Sequence, residues 1–260
     1  MKKPGGGFTM LDFVLVLAVL GFLALLLLPL LARRGRQRRP SCANNLKQMG
    51  LVLKMYANEW NGRFPQKTPY AEVWMVDPRA IYPEYITAPA VLACPEWLNH
   101  DELVGRIRAA AAHPIDYELL SRLTAESYTY TNWMVMNDDD VRKLSERYPQ
   151  LPAENYDEDI PRLDAVADEG NEPDATDRPA FRRLREGIER FLMTDTCPPA
   201  SAIAQSTIPV MFDNICDEVF SHEPPGCNVL YMDGHVEFRG FGDSFPATET
   251  VAQMWPIGWD

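Results

Sequence analysis

The chain has 260 residues, 46% of them hydrophobic, enough for one globular core of ordinary size beside a separate apolar segment. Its net charge is −12 and its one basic run is short (Arg33, Arg34, Arg36, Arg38 and Arg39), which argues against nucleic-acid binding and suits a membrane flank. No Gly-rich phosphate loop, Gly-x-Ser-x-Gly elbow or His-Glu-x-x-His pair is present, so an enzyme is not expected.

Lys2 and Lys3 precede the junction Gly7-Phe8-Thr9-Met10-Leu11-Asp12, which opens an apolar run. That run, Phe8 to Leu31, is 24 residues long with Asp12 as its only charge. At 1.5 Å per residue it matches a hydrocarbon core of ~30 Å, which predicts a transmembrane helix over 8–32. It is too long for a cleaved secretory signal, and a plain anchor gives Asp12 no purpose. These residues resemble the type IV prepilin family, including the pseudopilins of type II secretion. The family pattern is a basic leader ending in Gly, then Phe-Thr-Leu-Ile/Val-Glu and an apolar helix. Lys2, Lys3, Gly7, Phe8 and Thr9 match it, Met10 and Leu11 are apolar replacements, and Asp12 stands where the family has Glu.

The resemblance implies that a prepilin peptidase removes leader 1–7 after Gly7 and that Phe8 is N-methylated. Asp12 would neutralise a neighbouring subunit's terminal amine during assembly. It also implies a single-pass inner-membrane protein with a cytoplasmic leader and an exported, periplasmic head. A charge count alone would put the C-terminal side in the cytoplasm, because basic residues follow the apolar run. The leader reading instead sets those arginines against anionic headgroups.

Leu46, Met49, Leu53, Tyr56, Ala57 and Trp60 recur at helical spacing, predicting an amphipathic continuation over 33–61 that ends at Asn61-Gly62. The segment Cys42-Ala43-Asn44-Asn45-Leu46-Lys47-Gln48-Met49-Gly50, with Gly62-Arg63-Phe64-Pro65 beyond it, is similar to a second signature of prepilin-like proteins.

The head is expected to span 62–260. Residues 70–100 read as loops and short strands, 101–112 as a short helix, and Ser127 to Val135 as a strand. Residues 137–179 hold 14 acidic and 5 basic side chains and few large apolar ones, and read as a solvated, partly mobile insertion. Asp138-Asp139-Asp140 lacks the spacing of a calcium loop and reads as a solvated run. Arg178 to Met193 has helical periodicity, with Asp177 as N-cap and Pro179 in the first turn.

Asp233-Gly234 between two alternating segments predicts a hairpin over 228–239 with a two-residue type I′ turn. Val229, Tyr231, Val236 and Phe238 are then expected on one side, and His235 and Glu237 on the other. The same region resembles the family's C-terminal signature, a His, nine residues, then Asp-Gly-His. Here His222 precedes Asp233, Gly234 and His235 by a ten-residue spacer. A metal on His222, Asp233, His235 and nearby carboxylates is weighed and not adopted, and neither a metal nor any cofactor is expected. A nucleophilic Cys216 or Cys227 beside His222 is weighed and set aside as well.

The five cysteines are Cys42, Cys94, Cys197, Cys216 and Cys227; in an oxidising compartment two bridges can be arranged 15 ways. Cys216 and Cys227 are the first pair to examine.

The reading is therefore α+β: a long N-terminal helix, half transmembrane and half amphipathic, packed on a small antiparallel sheet. The expected function is a structural pilin-like or pseudopilin subunit of a type II secretion or type IV pilus-like assembly. Its expected partners are the prepilin peptidase, other pilin-like subunits, an assembly platform and the membrane. The alternatives are a membrane-tethered binding module that does not polymerise, and a membrane-anchored hydrolase or metalloprotein.

Overall fold

The computed structural model describes residues 10–151, 153–160, 181–192, 198–215, 222 and 224–254; side chains are described there except at 11, 24–40, 150, 153 and 198–200. The chain divides into two compact units, 1–40 and 41–260. Helix α1 runs Met10–Glu59. The expected membrane-spanning half of this helix is not found, because no helix among the described residues is long and apolar enough to cross a membrane.

The second half of α1 follows its expected stripe as far as Ala57: Cys42, Leu46, Met49, Leu53 and Ala57 are buried and Tyr56 is half-buried, with Leu51 and Met55 exposed on the other side. Trp60, expected on the same stripe, lies just beyond the last helical residue, Glu59, and is exposed. Asn61 (φ 54°) and Gly62 (φ 81°) end the helix in left-handed conformations, and the Gly62 amide donates to the Ala57 carbonyl at 2.8 Å.

Strands β1 (Tyr128–Tyr130), β2 (Pro209–Asp213), β3 (Gly226–Tyr231) and β4 (Val236–Gly240) form an antiparallel sheet in that order. β3 is buried along its whole length, because both faces of the sheet are covered. Leu230 packs with Leu46, Met49 and Leu53 of α1; Cys227, Val229 and Tyr231 belong to a second cluster on the other face. The contact at α1 is close: a Cβ added at Gly50 would lie 2.9 Å from Leu230 Cδ1.

The hairpin forms where expected, with a different turn. The Gly234 amide donates to Tyr231 O and the Tyr231 amide to His235 O, which leaves a three-residue loop, Met232-Asp233-Gly234. Within it only Gly234 has positive φ, so this is a type I turn closed by a glycine bulge. The extra loop residue slips the register by one. Val229 now faces Glu237, and Leu230 faces Val236, so the expected grouping of Val229 and Tyr231 with Val236 and Phe238 is overturned.

The second cluster corrects the reading of 137–179 as a solvated insertion. Helix α5 (Asp138–Arg147) buries Val141 and Leu144, and Tyr148, Tyr156 and Ile160 join Trp133 and Phe212 behind the sheet. Asn137 caps α5 by accepting the Asp140 amide, so the three aspartates occupy a helix first turn, where the dipole favours negative charge. Residues 161–179, the rest of that stretch apart from Pro152, lie outside the described residues.

The helix expected over 178–193 is likewise overturned. Phe181, Arg183 and Arg185 bridge to Ile160, Trp133 and Arg63 as extended backbone, and only Ile188–Phe191 coils, as a 3-10 turn. Tertiary pairing outweighs the local periodicity there. Helices α2 (Pro78–Ile81), α3 (His100–Ala110), α4 (Tyr117–Ala125), α6 (Pro198–Gln205) and α7 (Glu249–Met254) are the other α-helices among the described residues. α4 follows Asp116, which accepts the Leu119 amide as its N-cap.

Among the described residues, the side chains of Lys67 and Arg183 are enclosed. Lys67 is 1% exposed; its Nζ donates to the carbonyls of Thr68 and Tyr70 and to the Tyr148 hydroxyl, among the rings of Trp74, Tyr148 and Tyr156. Arg183 is 2% exposed and donates to the carbonyls of Phe64, Pro65, Asn132 and Leu184.

Candidate functional site

A cluster of buried reactive side chains gathers where α1, the loop after the 3-10 turn Pro89–Leu92, the end of β2 and the approach to β3 meet. Cys42 comes from the inner face of α1, one turn before Leu46. Cys94 stands between that 3-10 turn and Pro95. Its backbone is fixed on both sides: the Cys94 amide donates to Ser127 Oγ at 2.9 Å, and His100 Nδ1 donates to the Cys94 carbonyl at 3.0 Å. Asn45 Nδ2 donates to the Ala93 carbonyl at 3.0 Å, tying the loop to α1. The two sulfurs lie 3.1 Å apart.

His222 closes the cluster from the other side. Its Nε2 lies 2.7 Å from Asp213 Oδ2 and 3.9 Å from Cys94 Sγ, and its Nδ1 meets the Glu96 carboxylate. Asp213 is the last residue of β2 and is held in turn by β3: its Oδ2 accepts the Asn228 amide at 2.9 Å and Asn228 Nδ2 at 2.6 Å. Cys42, Cys94, Asp213 and His222 are each at most 1% exposed.

Burial alone would lower the affinity of His222 for a proton. The bond to Asp213 and its charge outweigh this and push the imidazole up to about 9, so His222 is an imidazolium between two carboxylates. The Cys94 thiol is pushed far up by the adjacent Cys42 thiol, by burial and by the charge of Asp213. Both effects follow from one arrangement, negative charge facing a closed space.

No family model, curated protein or solved structure matches the chain. The chemistry of the cluster therefore rests on its own geometry.

Cys42, Cys94 and His222 place three potential ligand atoms within 4.8 Å of one another, and Asp213 Oδ2 sits against His222. Two sulfurs, an imidazole and a carboxylate are a donor set that suits zinc. Two thiols at this separation are also close to a covalent bond. A nucleophilic role is disfavoured, because Cys94 is protonated and enclosed.

The residues singled out in the sequence fall in different places. Gly7 and Phe8 lie outside the described residues, while Asp12 is exposed in the first turn of α1. Asp233, Gly234 and His235 form the hairpin turn; Asp233 Oδ1 accepts the His235 amide at 3.0 Å, and the His235 ring stacks on Tyr231 with centroids 4.5 Å apart. His222 is committed to Asp213 and Glu96 instead. Cys227 is fully buried in the cluster on the other face of the sheet, and Cys216, its expected partner, lies outside the described residues. Sequence reasoning weighed Asp213 only as one of several carboxylates near His222 and missed Cys42, Cys94 and Glu96 as its neighbours. A signal was there: the Asn-Asn-Leu-Lys-Gln motif that follows Cys42 supplies Asn45, whose bond to Ala93 brings Cys94 into place.

Proposed function

We propose that the chain is a pilin-like structural subunit of a type II secretion or type IV pilus-like assembly. The observation that carries this reading is the order of its parts. A basic leader and a Gly7-Phe8 junction precede a 50-residue helix, and that helix's second half lies on a small antiparallel sheet. In this reading a prepilin peptidase cleaves after Gly7, Phe8 becomes the methylated terminus, and the head stands on the exported side. Neighbouring subunits associate through their N-terminal helices on an assembly platform. Asp12, in the first turn of α1, offsets the terminal amine of the next subunit; an unpaired ammonium among apolar helices costs several kcal/mol.

Mass spectrometry of the mature N-terminus tests the reading. The expected result is N-methylated Phe8, with Gly7→Val retaining the leader. Recovery of the chain with Met1 intact in the wild type would overturn it. Asp12→Ala should be cleaved normally yet lose its crosslinked multimers, and Asp12→Glu should keep them.

A further inference from the structure

We propose that Cys42 and Cys94 form a disulfide that fastens α1 to the loop of the head carrying Glu96, and that the Asp213–His222–Glu96 triad is the charged wall behind it. The sulfurs are already 3.1 Å apart, about 1 Å from a bond of roughly 2.05 Å. Both cysteines sit on backbone fixed by independent contacts, Cys42 within α1 and Cys94 by Ser127, His100 and the Asn45–Ala93 bond. Cys227 is placed in the core cluster on the other face of the sheet.

The position of the His222 protons favours a bridge over a metal. His222 Nε2 lies 2.7 Å from Asp213 Oδ2 and its Nδ1 meets the Glu96 carboxylate, so both ring nitrogens are spent on carboxylates and no lone pair is offered to a cation. Two thiolates with a divalent cation are neutral, as a disulfide is, so net charge does not separate the two; the sulfur separation and the occupied imidazole do. The inference rests on the exported location proposed above, since such bridges persist in oxidising compartments.

The bond forms before the head closes, while both thiols are accessible. One cysteine thiolate attacks the disulfide of an exported thiol oxidoreductase, giving a mixed disulfide. The second then displaces the oxidoreductase sulfur. Two S–H bonds are lost and one S–S bond is made, and the two electrons and two protons leave on the oxidoreductase as its dithiol. The loop closed spans 52 positions, so reduction should raise the unfolding equilibrium constant of the full chain roughly a thousandfold.

The test is alkylation of the full-length protein under denaturing conditions without reductant, followed by peptide mass mapping. Expected is a linked pair of peptides carrying Cys42 and Cys94, two mass units lighter than their sum, which becomes alkylated after reduction. The same linkage should form when the reduced chain is refolded in a glutathione redox buffer. That arm is independent of cellular location: failure to link there overturns the inference and leaves the pilin reading untouched, whereas a linked chain without a methylated Phe8 counts against the pilin reading alone. One zinc ion per chain, with both cysteines blocked until a chelator is added, would overturn the bridge in favour of a metal centre. Cys42→Ser and Cys94→Ser should each abolish the linked species; a linked species persisting with other cysteines in either variant would also overturn it.

Discussion

His222 and Asp213, nine positions apart, the one in the connection before β3 and the other the last residue of β2, share a buried Nε2–H to Oδ2 bond of 2.7 Å. Because this partner raises the imidazole from 6.5 to about 9, folding is favoured whenever the imidazole is charged. The stabilisation is fully present below pH 6.5 and is lost as pH rises through about 9. Its size is about 3 kcal/mol. His222→Gln should abolish that loss, as measured by urea unfolding at pH 6, 7.5 and 9.

Lys67 runs the opposite way. Burial lowers its amine from 10.5 to about 7, the negative charge of Glu72 only partly opposing this. The folded state therefore carries a cost that is fully present below about pH 7 and fades toward 10.5. Between pH 7 and 9 the two residues offset one another, at about 1.4 kcal/mol per pH unit each. Wild-type stability should be nearly level there, and Lys67→Met should expose the full decline set by His222. A level profile in Lys67→Met would contradict this balance.

Gly226 and Gly234 separate close approach from turn preference. A Cβ at Gly226 would lie 2.2 Å from the Arg239 carbonyl oxygen and 2.7 Å from Phe238 Cζ, whereas nothing lies within 4 Å at Gly234. Gly226→Ala must push β3 and β4 apart and should cost more than ~3 kcal/mol. Gly234→Ala faces only its left-handed backbone, φ 90°, and should cost about 1 kcal/mol. Urea midpoints of the two variants give the comparison.

Leu144 is fully buried beneath the second face of the sheet. Leu144→Ala should cost about 2–5 kcal/mol by transfer and cavity formation. A change below ~0.5 kcal/mol would restore α5 to the status of a surface appendage.

What the sequence showed of the fold follows from how local each signal is. The α1 stripe from Leu46 to Ala57 and the two hairpin strands are read from neighbours a few residues apart, and both were legible. The hairpin turn was not, because Asp-Gly serves a type I turn with a bulge as well as a two-residue turn, and one residue flips every side chain. α5 hid because Val141 and Leu144 are two apolar residues among eight others, though Asn137 and the aspartates after it carry the signs of a helix start. At the site, Cys94 and His222 come from segments 128 positions apart. No local pattern encodes such a meeting, and the His222 signature pointed forward in the chain to Asp233 while its actual partners lie behind it.

Among the described residues the sheet ends at β4, whose five residues Val236–Gly240 have no neighbouring strand on one side. An open strand is a template for another chain, and crowding many copies of one head along a fibre would multiply that hazard. Here the exposed edge is brief and carries Glu237 and Arg239, joined to each other at 2.8 Å, and beyond Gly240 the chain turns away, with the Phe241 amide reaching back to Pro225. Such an edge resists being extended by a second strand. Heads held close together by their helices would then stay individually folded instead of merging into a shared sheet.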